Sequence, residues 1–164
     1  MEEARVAALQ AMPIFGGLRA DVLEALLAAS ATVRVAPGEY FFRERDRAVS
    51  MFVLERGAVE LLKEWQGVEH AIGSLAAGDC FGEMALIDLF PRSASVRATE
   101  ACTAIELSTE SFFRLFETDL EQFALVQTNI ARELSRRLRA ADEQLFRVRF
   151  GARELAPELA LLMV

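Results

Sequence analysis

The stretch that decides the fold runs from Phe81 to Val96 and reads FGEMALIDLFPRSASV. It opens with Gly82 and Glu83, passes through a short apolar turn, and then reaches Arg92. Glycine lets a backbone approach a ligand closely, and the turn is expected to present free N–H groups at a helix N-terminus, where anions bind. An arginine nine residues after the glutamate can return to the same place and bind a phosphate through two hydrogen bonds.

Glu83 indicates a second part of the ligand. A carboxylate repels a phosphate, so its natural partner is a neutral donor such as a sugar hydroxyl. A glutamate, backbone amides and an arginine in one loop therefore suggest a sugar-phosphate ligand. The alternative interpretation of Glu83 and Arg92 is an ion pair on the surface beside a turn.

The stretch resembles the phosphate-binding cassette of the cyclic nucleotide-binding domain family, which includes the catabolite activators and the kinase regulatory subunits. The FGE-MAL start and the PRSAS end carry the resemblance, which extends over roughly residues 10–150. It implies that Glu83 holds the ribose 2′-hydroxyl and that Arg92 pairs with the cyclic phosphate, together with backbone amides. The ligand-binding residues expected in this stretch are Gly82, Glu83, Met84, Ala85, Arg92, Ser93 and Ala94.

The resemblance also implies contacts to the base from the C-terminal helix. When the Arg-Arg-Leu run at 136–138 is matched to the similar run of the dimeric bacterial members, Ala141 and Asp142 fall on the positions that contact adenine. Asp142 is expected to accept a hydrogen bond from an exocyclic amino group, and Arg139 is an alternative that stacks on the base. Ala141 lacks the hydroxyl that those relatives use. Ser93 after the arginine favours cyclic AMP, and cyclic GMP stays open.

The segments on both sides of the cassette have the period of short strands. Val33 and Val35 alternate with Arg34, and further apolar runs up to Leu107 are separated by turns that contain glycine. This pattern predicts a mainly β fold with flanking helices, an antiparallel jelly-roll β-barrel over about residues 32–108. The family has the same fold.

One loop residue departs from the family pattern. The family usually has glycine before the aspartate in the loop after the second strand, whereas Arg45 precedes Asp46 here. If that position requires a positive φ, the arginine is modestly strained. Asp46 is expected either to orient Arg92 or to remain a solvated loop acid.

Helices are predicted before and after the strands. Residues 3–12 form a helix that Pro13 ends, and a second helix begins near Asp21. After the strands, Ser108 is expected to cap a short helix at 111–117, whose three phenylalanines are assigned to the core.

A long helix is predicted to start near Asp119. Its apolar positions recur every three or four residues, with Gln127 as the polar exception. This stripe favours a parallel homodimer through the helix, and packing on the chain's own strands is the alternative. The stripe consists of Leu120, Phe123, Gln127, Ile130, Leu134, Leu138, Ala141, Leu145 and Val148.

The end of the chain is expected to differ from the long helix. Gly151 is predicted to end or bend the helix, and Pro157 to prevent its smooth continuation. The expected organisation is one cyclic nucleotide-binding domain at 1–150, with helices at about 110–150, and a short apolar tail at 151–164. The tail is too short for a DNA-binding domain.

Composition narrows the class of protein. The 164 residues are 53% hydrophobic with a net charge of -7, which argues against nucleic acid as the main partner. No apolar run reaches the roughly 18 residues of a membrane span, and the acidic N-terminus lacks a signal peptide's features, so a cytoplasmic protein is expected. Cys80 and Cys102 are predicted to be buried free thiols. His70 is the only histidine, so no catalytic or metal centre and no cofactor is expected.

The sequence therefore favours a cyclic nucleotide sensor without catalysis, in which ligand repositions the C-terminal helix and informs an unidentified protein downstream. Two alternatives stay open at this point. One is a fragment of a transcription regulator or channel. The other is a structural dimerisation module that keeps the fold and no longer binds nucleotide.

Overall fold

The computed structural model describes the backbone of residues 2–161 and the side chains of residues 5–84 and 86–150. The strands are β1 (Ala31–Val35), β2 (Tyr40–Phe42), β3 (Ser50–Arg56), β4 (Ala58–Trp65), β5 (Val68–Ala76), β6 (Cys80–Phe81), β7 (Ser95–Ala98) and β8 (Cys102–Ser108). The helices are α1 (Glu2–Gln10), α2 (Ala20–Ala28), α3 (Met84–Asp88), α4 (Thr109–Thr118) and α5 (Leu120–Leu161), with a 3₁₀ turn at Pro13–Phe15. The chain divides into two compact units between Asn129 and Ile130.

The strands form two antiparallel sheets of four strands each, in the orders β1-β8-β3-β6 and β2-β7-β4-β5. The predicted mainly β, antiparallel fold with flanking helices is confirmed. The sheets are not closed into a barrel, however, so that part of the prediction is wrong. The edge strands β6 and β2 have only two and three residues, which is too short to extend a ladder of hydrogen bonds from one sheet to the other.

The core contains alternate side chains from both sheets. Phe52 and Leu54 of β3 are buried with Val59 of β4 and Val96 of β7, as the period of two requires. Phe52 also stacks on Phe81 with ring centroids 5.4 Å apart. The two cysteines are buried and form no disulfide bond, as predicted. The cassette thus begins directly at the aromatic core, because Phe81 is its first residue.

The N-terminal helices and the start of α5 are joined by polar contacts to the backbone. The Gln122 side chain accepts a hydrogen bond from the backbone N–H of Arg19 at 2.8 Å. Asn129 donates to the carbonyls of Ile14 and Gly16 at 3.2 and 2.9 Å. Both side chains are almost fully buried, so they satisfy backbone groups that water does not reach.

α4 has the expected cap, but it begins at Thr109, two residues earlier than predicted, and it buries fewer phenylalanines. Ser108 caps the helix by accepting a hydrogen bond from the Ser111 backbone N–H at 3.2 Å. Of the three phenylalanines assigned to the core, only Phe112 is buried. Phe113 and Phe116 are 58% and 47% exposed, and their rings stack on each other with centroids 6.2 Å apart, while Phe112 and Leu115 form the buried face of the helix.

α5 begins at Leu120, close to the predicted start, and continues to Leu161. The helix therefore does not end at Gly151, whereas a bend there stays a prediction. α5 also continues for four residues past Pro157, although a proline inside a helix removes one backbone hydrogen bond and its ring crowds the carbonyl four residues earlier. Within the described residues, no helix is both long enough and apolar enough to cross a membrane.

Candidate functional site

The first half of the cassette is a turn followed by one short helix. Gly82 has φ +76°, a conformation that is easy only for glycine, and Glu83 is the N-cap residue of α3. α3 has five residues and ends at Leu89, whose φ is +59°. Such a short helix has little dipole, so any anion here would be held by individual amides and by Arg92.

Arg92 returns to the start of the cassette and lies buried there, only 6% exposed. Its Nη1 donates to the carbonyl of Gly82 at 3.1 Å, and its Nη2 lies 3.4 Å from the hydroxyl of Ser50. The guanidinium lies over the ring of Phe42, 4.0 Å from the ring centroid. A Cβ on residue 82 would lie 2.4 Å from Nη1, so a larger residue there would displace the end of the Arg92 side chain.

The Arg92 guanidinium is incompletely satisfied. Among the described residues, its buried Nε has no hydrogen-bond partner. No carboxylate of the described residues lies within 4.0 Å of it. Burial lowers the pKa of Arg92, while the charges of Glu106, Asp46 and Glu83 raise it. A buried cation with a free donor is suited to bind an anion.

The loop between β2 and β3 is hydrogen-bonded to Arg92 through the backbone. The N–H of Arg45 donates to the carbonyl of Arg92 at 2.8 Å, and the N–H of Arg92 donates to the carbonyl of Asp46 at 2.9 Å. Arg45 has φ +72°, so the expected strain at this position is confirmed. The Asp46 carboxylate accepts from the N–H of Arg43 at 2.8 Å, so it stabilises the loop that carries Arg92's backbone partners.

Two polar groups of the site have no signal in the sequence. Ser50 accepts from Arg92 and donates to Glu106 at 2.7 Å, which links the arginine to a carboxylate of the neighbouring strand. Lys63 donates to the carbonyl of Ser93 at 2.7 Å and also binds Glu44. These residues come from separate strands and loops, so only the sheet pairing brings them to the cassette.

The structure brings the two ends of the cassette together and leaves backbone donors between them. Ser93 lies beside Met84, with its hydroxyl 3.7 Å from the sulfur. Among the described residues, no group accepts a hydrogen bond from the amides of Ser93 and Ala94. Ala85 is in the first turn of α3, where amides lack a helical acceptor. The roles of all these residues as ligand contacts stay predictions.

The residues predicted to contact the base belong to the other compact unit. Arg139 and Asp142 lie on α5 and are exposed. Their role in base recognition stays a prediction.

The chain matches a known family over more than half its length. The sequence model of the cyclic nucleotide-binding domain matches residues 32–119. The cyclic AMP receptor protein of Thermus thermophilus is 30% identical over 138 residues, 84% of this chain and 62% of that protein. A cAMP-dependent protein kinase regulatory subunit of Emericella nidulans is 36% identical over 107 residues, 65% of this chain and 26% of that protein. The chain thus spans less than two thirds of these relatives.

Solved structures agree with this assignment. The crystal structure of the Thermus thermophilus catabolite activator protein matches 81% of this chain and 61% of that one, with 31% identity and a TM-score of 0.70. The regulatory domain of Toxoplasma gondii PKA, co-crystallised with cAMP, matches 69% of this chain and 43% of that one, with 26% identity and a TM-score of 0.63. Family match, fold and cassette geometry agree, and the chain belongs to the cyclic nucleotide-binding domain family.

Proposed function

We propose that this chain is a cyclic nucleotide-binding regulatory module, with cyclic AMP as its preferred ligand and no catalytic activity of its own. The observation that carries the proposal is the buried Arg92 guanidinium. Among the described residues, its Nε and the backbone amides of Ser93 and Ala94 have no hydrogen-bond partner. The family assignment supports it, as does the co-crystal of a related regulatory domain with cAMP.

In the proposed binding mode, the cyclic phosphate occupies the turn between Gly82 and Ala94. Arg92 pairs with the phosphate, and the amides of Ala85, Ser93 and Ala94 donate to its oxygens. Glu83 accepts a hydrogen bond from the ribose 2′-hydroxyl. Its almost complete burial favours a neutral partner over the phosphate.

The proposed output is a shift in the population of α5 conformations. α5 is the element that continues from the unit containing the cassette into the second unit, so a change at its start is transmitted along one helix. Asp142 and Arg139 are the proposed contacts to the base, and their binding would couple the ligand directly to α5. Homodimerisation, a cytoplasmic location and a downstream protein partner belong to the same proposal.

The test is thermal melting with cyclic AMP, cyclic GMP or 5′-AMP. A ligand at 100 times its Kd adds about 2.7 kcal/mol to the free energy of unfolding, a shift that is easily measured. We expect the largest shift with cyclic AMP and none in Arg92→Ala. The matched control is Arg97→Ala, because Arg97 is paired with Glu60 and Tyr40 away from the cassette. A wild-type protein that responds to none of the three at millimolar concentration would contradict the proposal and favour the dimerisation module.

A further inference from the structure

A second cavity lies between α1 and the sheet that contains β1, β8 and β3. It has a volume of about 750 Å³. Its apolar side is formed by Ala8 and Leu9 of α1 and by Met12, which follows that helix, and its polar side by residues of the three strands. The polar side consists of Thr32, Arg34, Glu55, Arg56 and Thr103, to which α1 adds Arg5.

This cavity is separate from the cassette. Ser50, which contacts Arg92, and Arg56, which lines the cavity, are at opposite ends of β3. Six residues of strand span about 20 Å. None of the described cassette residues lines the cavity, so a ligand here would be bound independently of Arg92.

The cavity is basic although the chain is acidic. Among the residues whose side chains the structure describes, it is lined by three arginines and one glutamate, in a protein with a net charge of -7. The one carboxylate is already used, because Glu55 accepts two hydrogen bonds from Arg5 at 2.9 and 3.0 Å. Two positive charges in the cavity are therefore left over.

The two remaining arginines line the same cavity from strands that are two places apart in the sheet. Arg34 of β1 and Arg56 of β3 both lie in register with Thr103 of β8, which is between them. Strands two places apart are about 10 Å from each other, a distance that two arginine side chains can close around one ligand. Among the described residues, neither arginine forms an ion pair. Two like charges on these strands repel each other, and an anion between them removes that repulsion.

We propose that this cavity is a second ligand site, which binds a small organic phosphate with an apolar group. The phosphate lies between Arg34 and Arg56, where guanidinium groups offer paired donors and Thr103 adds a hydroxyl. The apolar group packs on Ala8 of α1 and on Met12, which follows the helix. Since α1 forms one wall, the ligand stabilises the contact between α1 and the sheet.

The test is a titration with phenyl phosphate, in which NMR chemical shifts of the backbone amides report binding. A second titration uses inorganic phosphate, which lacks the apolar group. Phenyl phosphate should shift amides around Thr32 and Thr103 and should bind more tightly than inorganic phosphate. The double variant Arg34→Gln/Arg56→Gln should weaken binding at least about tenfold. Glu55→Gln should tighten it about threefold, because it removes a nearby negative charge.

The matched control is Arg114→Gln/Arg149→Gln, which removes the same charge from α4 and α5 and should leave the affinity unchanged. Three results would overturn the proposal. They are the absence of binding at millimolar phenyl phosphate, shifts confined to residues 82–94, and equal affinity of the wild type and the cavity double variant.

Discussion

At the scale of single residues, Arg92 combines a cost in stability with a capacity to bind. A buried charge that lacks a carboxylate partner disfavours folding, and replacement by an apolar side chain of similar length often relieves that cost. We expect Arg92→Met to raise the free energy of unfolding without ligand by about 1 kcal/mol. The same variant should lose the thermal response to cyclic AMP.

Chemical denaturation of both proteins without nucleotide measures this trade-off. Arg97→Met is the control, since it removes an arginine that is paired with Glu60 and should lower stability or leave it unchanged. An Arg92→Met protein that is less stable than the wild type would show that the guanidinium stabilises the fold, contrary to this explanation.

Gly82 tests the contact between the two halves of the cassette. Gly82 and Gly67 have nearly equal φ values, +76° and +78°, so alanine at either position introduces similar backbone strain, on the order of 1 kcal/mol. An added Cβ clashes with Arg92 only at Gly82, whereas nothing lies within 4 Å at Gly67. We therefore expect Gly82→Ala to destabilise the protein more than Gly67→Ala and to weaken nucleotide binding.

Paired denaturation and binding measurements on the two alanine variants decide this point. If both variants bind nucleotide as the wild type does, the contact between residue 82 and Arg92 does not matter for the site.

At the scale of elements, the ion pair between Glu44 and Lys63 couples the loop after β2 to the cassette, because Lys63 also donates to the carbonyl of Ser93. This pair makes stability depend on pH. The hydrogen bond from Lys63 lowers the pKa of Glu44. Because the pKa of Glu44 is lower in the folded protein than in the unfolded chain, the ionised Glu44 stabilises the fold fully above about pH 4.3. This stabilisation is lost as the pH falls through the pKa that Glu44 has in the folded protein.

Denaturation curves from pH 6 to pH 3 measure this dependence. The wild type should lose stability with falling pH more steeply than Glu44→Gln, which cannot titrate at this position. Identical slopes for the two proteins would show that the pair does not link the loop to Ser93.

At the scale of the whole molecule, the α5 stripe predicts association between two copies of the chain. On α5, Leu138, Leu145 and Val148 are each more than half exposed. Exposed apolar residues at this spacing are typical of a helix that pairs with another helix. We expect a dimer at micromolar concentration, which Leu138→Glu converts to a monomer. Sedimentation measures both states.

Ser135→Glu is the control, because Ser135 is exposed and outside the stripe. A wild-type protein that is monomeric at high micromolar concentration would contradict the dimer. A dimer that is equally stable in Leu138→Glu would place the interface elsewhere.

The sequence by itself determined the family, the mainly β fold with flanking helices, and the cassette. Periods of two and of three to four follow from backbone geometry, and the cassette residues are contiguous, so both can be read without coordinates. The strain at Arg45 was also predictable, since a left-handed conformation is a property of one position in a loop.

Only the tertiary structure decided the rest. The sequence did not indicate that the sheets stay open, that Phe113 and Phe116 are exposed, or that Ser50 and Lys63 serve the cassette. Strand pairing determines these features by bringing distant residues together. The environment of Arg92 is the clearest case, because its partners Phe42, Ser50 and Gly82 come from three different segments of the chain.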